Sequence, residues 1–220
     1  MPKETLKYFF SVEGETEFWY FEKLQDLINH NQIAEYSAKF DCKIQKNPLK
    51  RAKGLISLGK TAITHVCDFE SEEPEFRIRF EETLSLMKNA QSNQVGKRLT
   101  YNLGYSNFAF ELWMVLHKAE CNAPLTHRHQ YLNPINNAFQ ENFRSLDQYK
   151  SESNFKRILS KITISDVQDA IRRSTRIMEN NAHVGYSYQQ FKGYRYYLEN
   201  PSLSIWESIE KILHDCGIRQ

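Results

Sequence analysis

The sequence lacks the features that mark several protein classes. Its 220 residues include only 4 cysteines, and no two of them have CxxC spacing, which argues against a disulfide framework or a sequence-local zinc site. With 8 glycines and 6 prolines, the chain is neither collagen-like nor of low complexity. No apolar run approaches the roughly 20 residues of a membrane span, and no signal-peptide pattern follows the first residues. We therefore expect a soluble, cytoplasmic protein.

Charge of one sign is not in excess either. The 29 lysines and arginines nearly balance the 27 acidic residues and leave a net charge of +2. Net charge alone therefore does not indicate a nucleic-acid-binding protein, and any site for a polyanion has to come from a local cluster. Hydrophobic residues make up 40% of the chain, enough for a globular core.

The first half of the chain alternates short apolar runs with amphipathic segments, which is typical of a parallel sheet covered by helices. We predict strands at 6–12, 39–44, 63–67 and 98–105, and helices at 18–28, 48–59, 74–87 and 108–117, with a loop at 106–107. Later helical segments are 131–143, 154–162, 166–178 and 203–216. The prediction is an α/β fold, with a parallel core of about four strands at 1–118. A mainly helical extension at 119–220 packs on that core, as a subdomain or as part of one continuous domain.

Acidic residues follow the predicted strands where each strand ends. Glu13 follows the first strand, Asp68 and Glu70 follow the third, and Glu111 lies in the first turns of the helix after the fourth. Loops at the carboxyl ends of parallel strands converge on one crevice, so these carboxylates are expected to meet there. Crowded carboxylates hold a cation or share protons, and oxygen ligands favour Mg²⁺ or Mn²⁺, which suits phosphodiester cleavage. We predict these four acids as catalytic, and Glu13, Glu17, Asp68 and Glu70 as metal ligands.

A second interpretation of some of these acids is purely structural. A glutamate at a helix N-terminus is stabilised by the helix dipole, which accounts for Glu15 and Glu17 without catalysis. The acids at 72, 73 and 75 are typical of a solvated helix start. The functional interpretation is stronger for Asp68, which ends a buried strand, and for Glu13, because the adjacent Gly14 permits close approach of the backbone.

Two basic clusters are candidate nucleic-acid contacts. Lys46, Lys50, Arg51 and Lys53 belong to a run without acids, and Arg172, Arg173 and Arg176 precede a tyrosine-rich segment. The first cluster is equally consistent with a solvated helix face, and a tyrosine-rich segment like the one beside the second cluster is more often core or interface. Gly54 and Gly59 are not interpreted as part of a phosphate loop, so we expect ATP to be handled by a partner.

Several segments resemble the RloB/AbiLii-like proteins of bacterial restriction-linked and phage abortive-infection operons, whose core is similar to the Toprim fold. The opening Glu13-Gly14-Glu15-Thr16-Glu17 with Tyr20-Phe21 resembles E-G-x-x-T-E…Y-F, with one residue fewer between Gly and Thr. Asp68-Phe69-Glu70 lies where the family carries D-x-D. The stretch 106–113 with Leu116-His117 resembles S-N-P-x-F-E-x-W…L-H, Tyr149-Lys150 resembles a Y-x-K-like element, and Asn200-Pro201-Ser202 resembles the family's ending.

The resemblance implies a Mg²⁺-dependent Toprim-type nuclease that cuts DNA or RNA as the effector of an anti-phage, abortive-infection system. It also implies an AAA/ABC-type ATPase partner encoded nearby, and it leaves a homo-oligomer open. Residues that would support the site are Gly14, Ser106, Asn107, His117 and Lys150, although the spacing of His117 from Glu111 also suits a structural histidine.

The chain departs from the family pattern at several positions. Glu70 replaces the second aspartate of D-x-D, and Phe69 and Phe108 replace polar or small residues. An alternative is therefore a catalytically inactive Toprim-like core that serves as a binding or regulatory subunit of the ATPase.

Overall fold

A computed structural model describes residues 3–56, 59–71, 73–91 and 98–219. The strands are β1 Thr5–Val12, β2 Ser37–Ile44, β3 Thr61–Asp68, β4 Leu99–Asn107, β5 Gln189–Phe191, β6 Tyr194–Tyr196 and β7 Ser202–Leu203. The helices are α1 Glu15–Asn29, α2 Pro48–Gly54, α3 Pro74–Gln91, α4 Glu111–Leu116, α5 Leu132–Phe139, α6 Leu146–Lys150, α7 Glu152–Ser160, α8 Ile164–His183 and α9 Ile205–Asp215. A 3-10 turn spans Arg128–Tyr131.

The central sheet has the strand order β2-β1-β3-β4-β7. Its first four strands are parallel, and the short β7 joins the edge antiparallel, pairing Ser106 with Leu203 and Asn107 with Ser202. Strands β5 and β6 form a separate hairpin. The predicted α/β fold with a parallel core of about four strands is confirmed.

Both faces of the sheet are covered, as continuous apolar strands require. On one face, α1 buries Phe21, Leu24 and Ile28 at helical spacing in the cluster that contains Phe10 of β1. On the other face, α3 contributes Phe80, Leu84 and Met87 to the cluster that contains Ile63 of β3 and Tyr101 of β4. β1 and β3 are buried on both faces and form the central pair of the four parallel strands.

The second half of the chain contributes to the first of these clusters. Ile135 of α5, Phe155 of α7, Ile171 of α8 and Ile209 of α9 are all fully buried in it with Trp113 of α4. The helical extension therefore shares its hydrophobic core with the sheet. The division at residue 118 stays a prediction. Within the described ranges, no helix is both long and apolar enough to span a membrane.

Some predicted boundaries are corrected. Ser106 and Asn107 were expected in a loop, but they end β4 because β7 pairs with them. The helix expected at 108–117 begins only at Glu111. The helix expected at 48–59 ends at Gly54, and positions 57 and 58 of that prediction lie outside the described residues. The hairpin and α6 were not predicted.

The shared core makes a prediction about cooperativity. Replacing the fully buried Ile209 by alanine leaves a cavity between α9 and the sheet, so we expect Ile209→Ala to lower the free energy of unfolding by about 2–5 kcal/mol. Urea denaturation should still show one transition, and the exposed neighbour substitution Glu210→Ala should leave the midpoint nearly unchanged. Two separate transitions would contradict a shared core.

Candidate active site

The acids that follow β1 and β3 lie together at the carboxyl edge of the sheet. Glu13 and Asp68 are adjacent, since Oε2 of Glu13 accepts a hydrogen bond from the backbone N–H of Asp68 at 3.3 Å. Glu17 lies one helical turn after Glu13, at the start of α1. A cavity of about 300 Å³ is lined by these three acids and Glu70, and also by three cations, Lys46, Arg128 and Lys150.

Burial and mutual repulsion shape the protonation of these acids. Burial raises the pKa of Asp68 well above its ordinary value, and the charges of Glu17, Glu13 and Glu111 raise it further. Burial also raises the pKa of Glu13 to about 7, although the hydrogen bond from Asp68 opposes that rise. The pKa of Glu17 is raised by burial and by the nearby Glu111. A bound cation would favour the charged form of each of these groups.

Glu111 contributes the most deeply buried carboxylate of the group. It is the first residue of α4 and is 1% exposed. Lys150, the last residue of α6, contacts Oε1 of Glu111 through its Nζ at 2.9 Å. Oε2 of Glu111 has no hydrogen-bond partner within the described part of the chain. Lys150 thus compensates one buried oxygen, and the other is left unsatisfied.

Gly14 makes room for a buried acid. A Cβ atom at this position would lie 3.1 Å from Oε2 of Glu17, closer than ordinary side-chain packing. Oε2 of Glu17 also accepts a hydrogen bond from Oγ1 of Thr16 at 3.1 Å. The glycine in the predicted motif therefore leaves room for the carboxylate of Glu17, whose place in the first turn of α1 also agrees with the helix-dipole interpretation.

Glu70 differs from the other acids in backbone and in exposure. Its φ of 60° lies in the left-handed region that non-glycine residues seldom adopt. Its backbone N–H donates to the carbonyl oxygen of Phe108 at 2.8 Å, which fixes the loop after β3. The side chain is 34% exposed and lies 3.6 Å from Nη1 of Arg128. Glu70 therefore lines the rim of the cavity.

Ser106 and Asn107 hold the end of β4 and do not line this cavity. Both are buried, and the carbonyl oxygen of Ser106 accepts a hydrogen bond from the N–H of Phe69 at 2.9 Å. Nδ2 of Asn107 donates to the carbonyl oxygen of Leu198 at 2.7 Å. Their support of the site is indirect, through the position of the loop that carries Glu70.

His117 does not line the acidic cavity, and its supporting role stays a prediction. His117 is fully buried after the last residue of α4, whereas Glu111 begins that helix. Its ring nitrogens hydrogen-bond with the hydroxyl of Tyr20 at 3.1 Å and with the carbonyl oxygen of Trp113 at 2.9 Å. Burial lowers the pKa of His117 to about 4, so it is a neutral packing residue.

Arg51 is also corrected as a nucleic-acid contact. It is 6% exposed, and its guanidinium donates to the carbonyl oxygen of Phe10 at 3.2 Å and to Oδ1 of Asp41 at 2.8 Å. It joins α2 to β1 and β2. Lys50 and Lys53 are exposed on α2, and their predicted role stays a prediction.

The arginines predicted on α8 are already engaged with other groups. Arg172 pairs with Asp169, Nη1 of Arg173 donates to the carbonyl oxygen of Leu116 at 2.6 Å, and Arg176 pairs with Glu120 at 2.9 Å. None of the three lines the acidic cavity. Their contact with nucleic acid stays a prediction.

Sequence reasoning missed Arg128. No local pattern in the sequence indicates that Arg128 approaches Glu70. Among the described residues, no group of three or more His, Cys, Asp or Glu side chains that could hold a metal ion is formed.

The crowding of carboxylates makes a prediction about pH. The pKa of Glu13 in the folded protein, about 7, lies above its ordinary value of 4.5, so the metal-free fold is most stable below pH 4.5 with respect to this group and loses that stability as the pH rises to 7. We expect Glu13→Gln to remove this loss and to stabilise the metal-free protein at pH 8 relative to wild type. Thermal unfolding in EDTA at several pH values measures the difference. A Glu13→Gln protein with the same pH dependence as wild type would contradict the assignment.

Comparison with known proteins completes the description of the site. The chain matches the family described as RloB-like protein over residues 8–212. No curated protein and no solved structure matches it. Because the family match spans nearly the whole chain, including every acid at the cavity, this chain belongs to the RloB-like family.

Proposed function

We propose that this protein is a divalent-metal-dependent, Toprim-type nuclease that hydrolyses phosphodiester bonds of DNA or RNA. The observation that supports the proposal best is the cluster of Glu13, Glu17 and Asp68 in one cavity, beside the buried Glu111. These acids have raised pKa values, and lysines stand at the same cavity. A metal ion would compensate the charge of these carboxylates, and the neighbouring lysines would attract phosphate. The two features together suit phosphodiester chemistry.

The donor set suits Mg²⁺ or Mn²⁺. All donors are carboxylate oxygens, which hard cations prefer, and the unpartnered Oε2 of Glu111 is a buried acceptor that lacks compensation. Glu13 and Asp68 are the first ligands we propose, with Glu17 and Glu70 beside them. No complete ligand group is preassembled in the described residues, so binding would involve movement of these side chains. When bound, the metal would activate water and neutralise charge on the phosphate.

The chain's own residues have separate roles in this proposal. Lys46 and Lys150 line the cavity and attract the phosphate group. Glu111 holds the amino group of Lys150 at 2.9 Å. Glu13 and Asp68, which are joined by the hydrogen bond from the backbone N–H of Asp68 to Oε2 of Glu13, would hold the metal ion together.

The biological setting belongs to the same proposal. Membership of the RloB-like family supports an effector that works with an AAA/ABC-type ATPase in anti-phage defence. Residues 54–61 match the pattern GxxxxGK[ST], but they run from the end of α2 to the start of β3, whereas a phosphate loop runs from a strand to a helix. We place the proposed activity in the cytoplasm.

One observation favours the alternative of an inactive regulatory subunit. Two of the acids already have cationic partners, since Lys150 contacts Glu111 and Arg128 contacts Glu70. A cluster compensated by its own side chains has less need of a metal ion.

The substitution Asp68→Asn separates the two functions. It keeps the size of the side chain but removes a charged ligand, so we expect calorimetric binding of Mg²⁺ or Mn²⁺ to be lost and cleavage of plasmid DNA or bulk tRNA to fall by roughly 100-fold or more. The matched control is Asp26→Asn, an exposed aspartate on α1, which should behave as wild type.

Each other outcome has a clear meaning. Metal binding by wild type without cleavage would favour the regulatory subunit, or a nuclease that requires its ATPase, and adding the ATPase distinguishes them. Unchanged metal binding and cleavage by Asp68→Asn would contradict the proposed site.

A further inference from the structure

The turn that carries Arg128 is anchored to the end of β4 by a buried polar network. The hydroxyl of Tyr131 donates to the carbonyl oxygen of Asn107 at 3.0 Å. Nδ2 of Asn200 donates to that same carbonyl at 2.6 Å and to the Tyr131 hydroxyl at 2.9 Å. Oδ1 of Asn200 accepts from the N–H of Leu125 at 2.7 Å, just before the turn. Residues from three distant parts of the chain therefore fix this turn beside the acidic cavity.

The turn is also held internally. The His127 side chain accepts a hydrogen bond from the N–H of His129 at 3.2 Å. Oε1 of Gln130 accepts from the N–H of Thr126 at 2.7 Å and from the N–H of His127 at 3.1 Å. These bonds form a capping box, which stabilises the first turn of a helix. Arg128 therefore projects from a turn whose backbone is held in place by hydrogen bonds.

The guanidinium of Arg128 is held loosely. Its side chain is 46% exposed, and Nη1 lies 3.6 Å from Oε1 of Glu70, itself 34% exposed. A solvent-exposed ion pair of this kind contributes little to stability, so the guanidinium can exchange Glu70 for another anion at little cost. A guanidinium has five donors in a planar fork that matches the oxygens of a phosphate group. Arg128 lines the cavity, so its guanidinium lies at the entrance of the acidic site.

From this arrangement we propose that Arg128 binds a backbone phosphate of the nucleic-acid strand at the site, and that Glu70 holds the guanidinium when no nucleic acid is bound. The inference rests on the proposed function, because it names the group that receives the substrate's phosphate. Glu70 and the substrate compete for one guanidinium, so substrate binding frees the Glu70 carboxylate at the rim of the cavity.

Binding in the absence of metal tests Arg128 independently of catalysis. The probes are a short fluorescent DNA duplex and an RNA of the same length, with anisotropy measured in EDTA at several salt concentrations. Loss of one phosphate contact lowers the slope of log affinity against log salt by about 0.9 for duplex DNA, and we expect this change in Arg128→Gln. Arg128→Lys should keep the slope and bind less tightly than wild type, because it keeps the charge but loses the fork.

The control is Arg157→Gln. Arg157 also forms an exposed pair with a glutamate, Glu141, at 2.8 Å, but it does not line the cavity. For Arg157→Gln, the slope of log affinity against log salt should equal that of wild type. Thermal unfolding of each variant verifies that the fold is intact.

A double-mutant cycle tests the competition with Glu70. Glu70→Gln releases the guanidinium, so we expect tighter metal-free binding of the DNA probe by Glu70→Gln in the wild-type background and no such gain in the Arg128→Gln background. An equal gain in both backgrounds would mean simple repulsion between Glu70 and phosphate, and it would overturn the competition.

The outcomes also separate this inference from the nuclease itself. Metal binding and cleavage by wild type, together with an unchanged slope in Arg128→Gln, would overturn the role of Arg128 alone. A lowered slope in a protein that neither binds metal nor cleaves would overturn the nuclease and leave Arg128 as a nucleic-acid contact. A wild-type protein that binds neither probe in EDTA would overturn the role of Arg128, while metal binding and cleavage would still decide the nuclease.

Discussion

The repulsion among carboxylates at one edge of the sheet is the constraint around which the site is arranged. β1 and β3 are paired, parallel and buried on both faces, so their carboxyl ends are held side by side. Glu13, just after β1, and Asp68, the last residue of β3, therefore both line a partly buried cavity. A fold gains nothing in stability from such a cluster, since burial alone raises the pKa of both acids. The repulsion therefore has to be relieved by protonation or by nearby cations.

Two of the three cations at the cavity, Lys150 and Arg128, contact an acid directly, and they do so in different ways. Lys150, itself 40% exposed, contacts Glu111, which is 1% exposed, so losing this contact costs less than the roughly 3–5 kcal/mol of a fully buried pair but leaves a buried carboxylate without its cation. Arg128 contacts Glu70 in a pair exposed on both sides, which is worth about 0–1 kcal/mol. The magnitudes indicate that the lysine contact is a fixed part of the site, whereas the arginine contact is the one that can be exchanged.

Sequence patterns could predict the sheet and the acids, but not their compensation. The apolar runs identified the four parallel strands, and the position of Asp68 at a strand end placed it at the carboxyl edge, because strand periodicity and topology are local or general rules. The contacts of Lys150 with Glu111 and of Arg128 with Glu70 join residues distant in sequence, which no period reveals. Arg51 was misassigned for the same reason: a basic run shows charge, but burial against Asp41 depends on how α2 packs.

Asn107 shows how distant segments become one site. Its side chain bonds the carbonyl oxygen of Leu198, and its own carbonyl oxygen accepts from Tyr131 and Asn200. An unsatisfied backbone carbonyl at a buried strand end would be costly, so these bonds meet a requirement of the fold first. The same bonds fix the turn beside the acids, where Arg128 projects. The hydrogen bonds that satisfy the end of β4 therefore also bring a cation to the acidic cavity. For this reason the last part of the chain belongs to the site, although it contributes no acid to it.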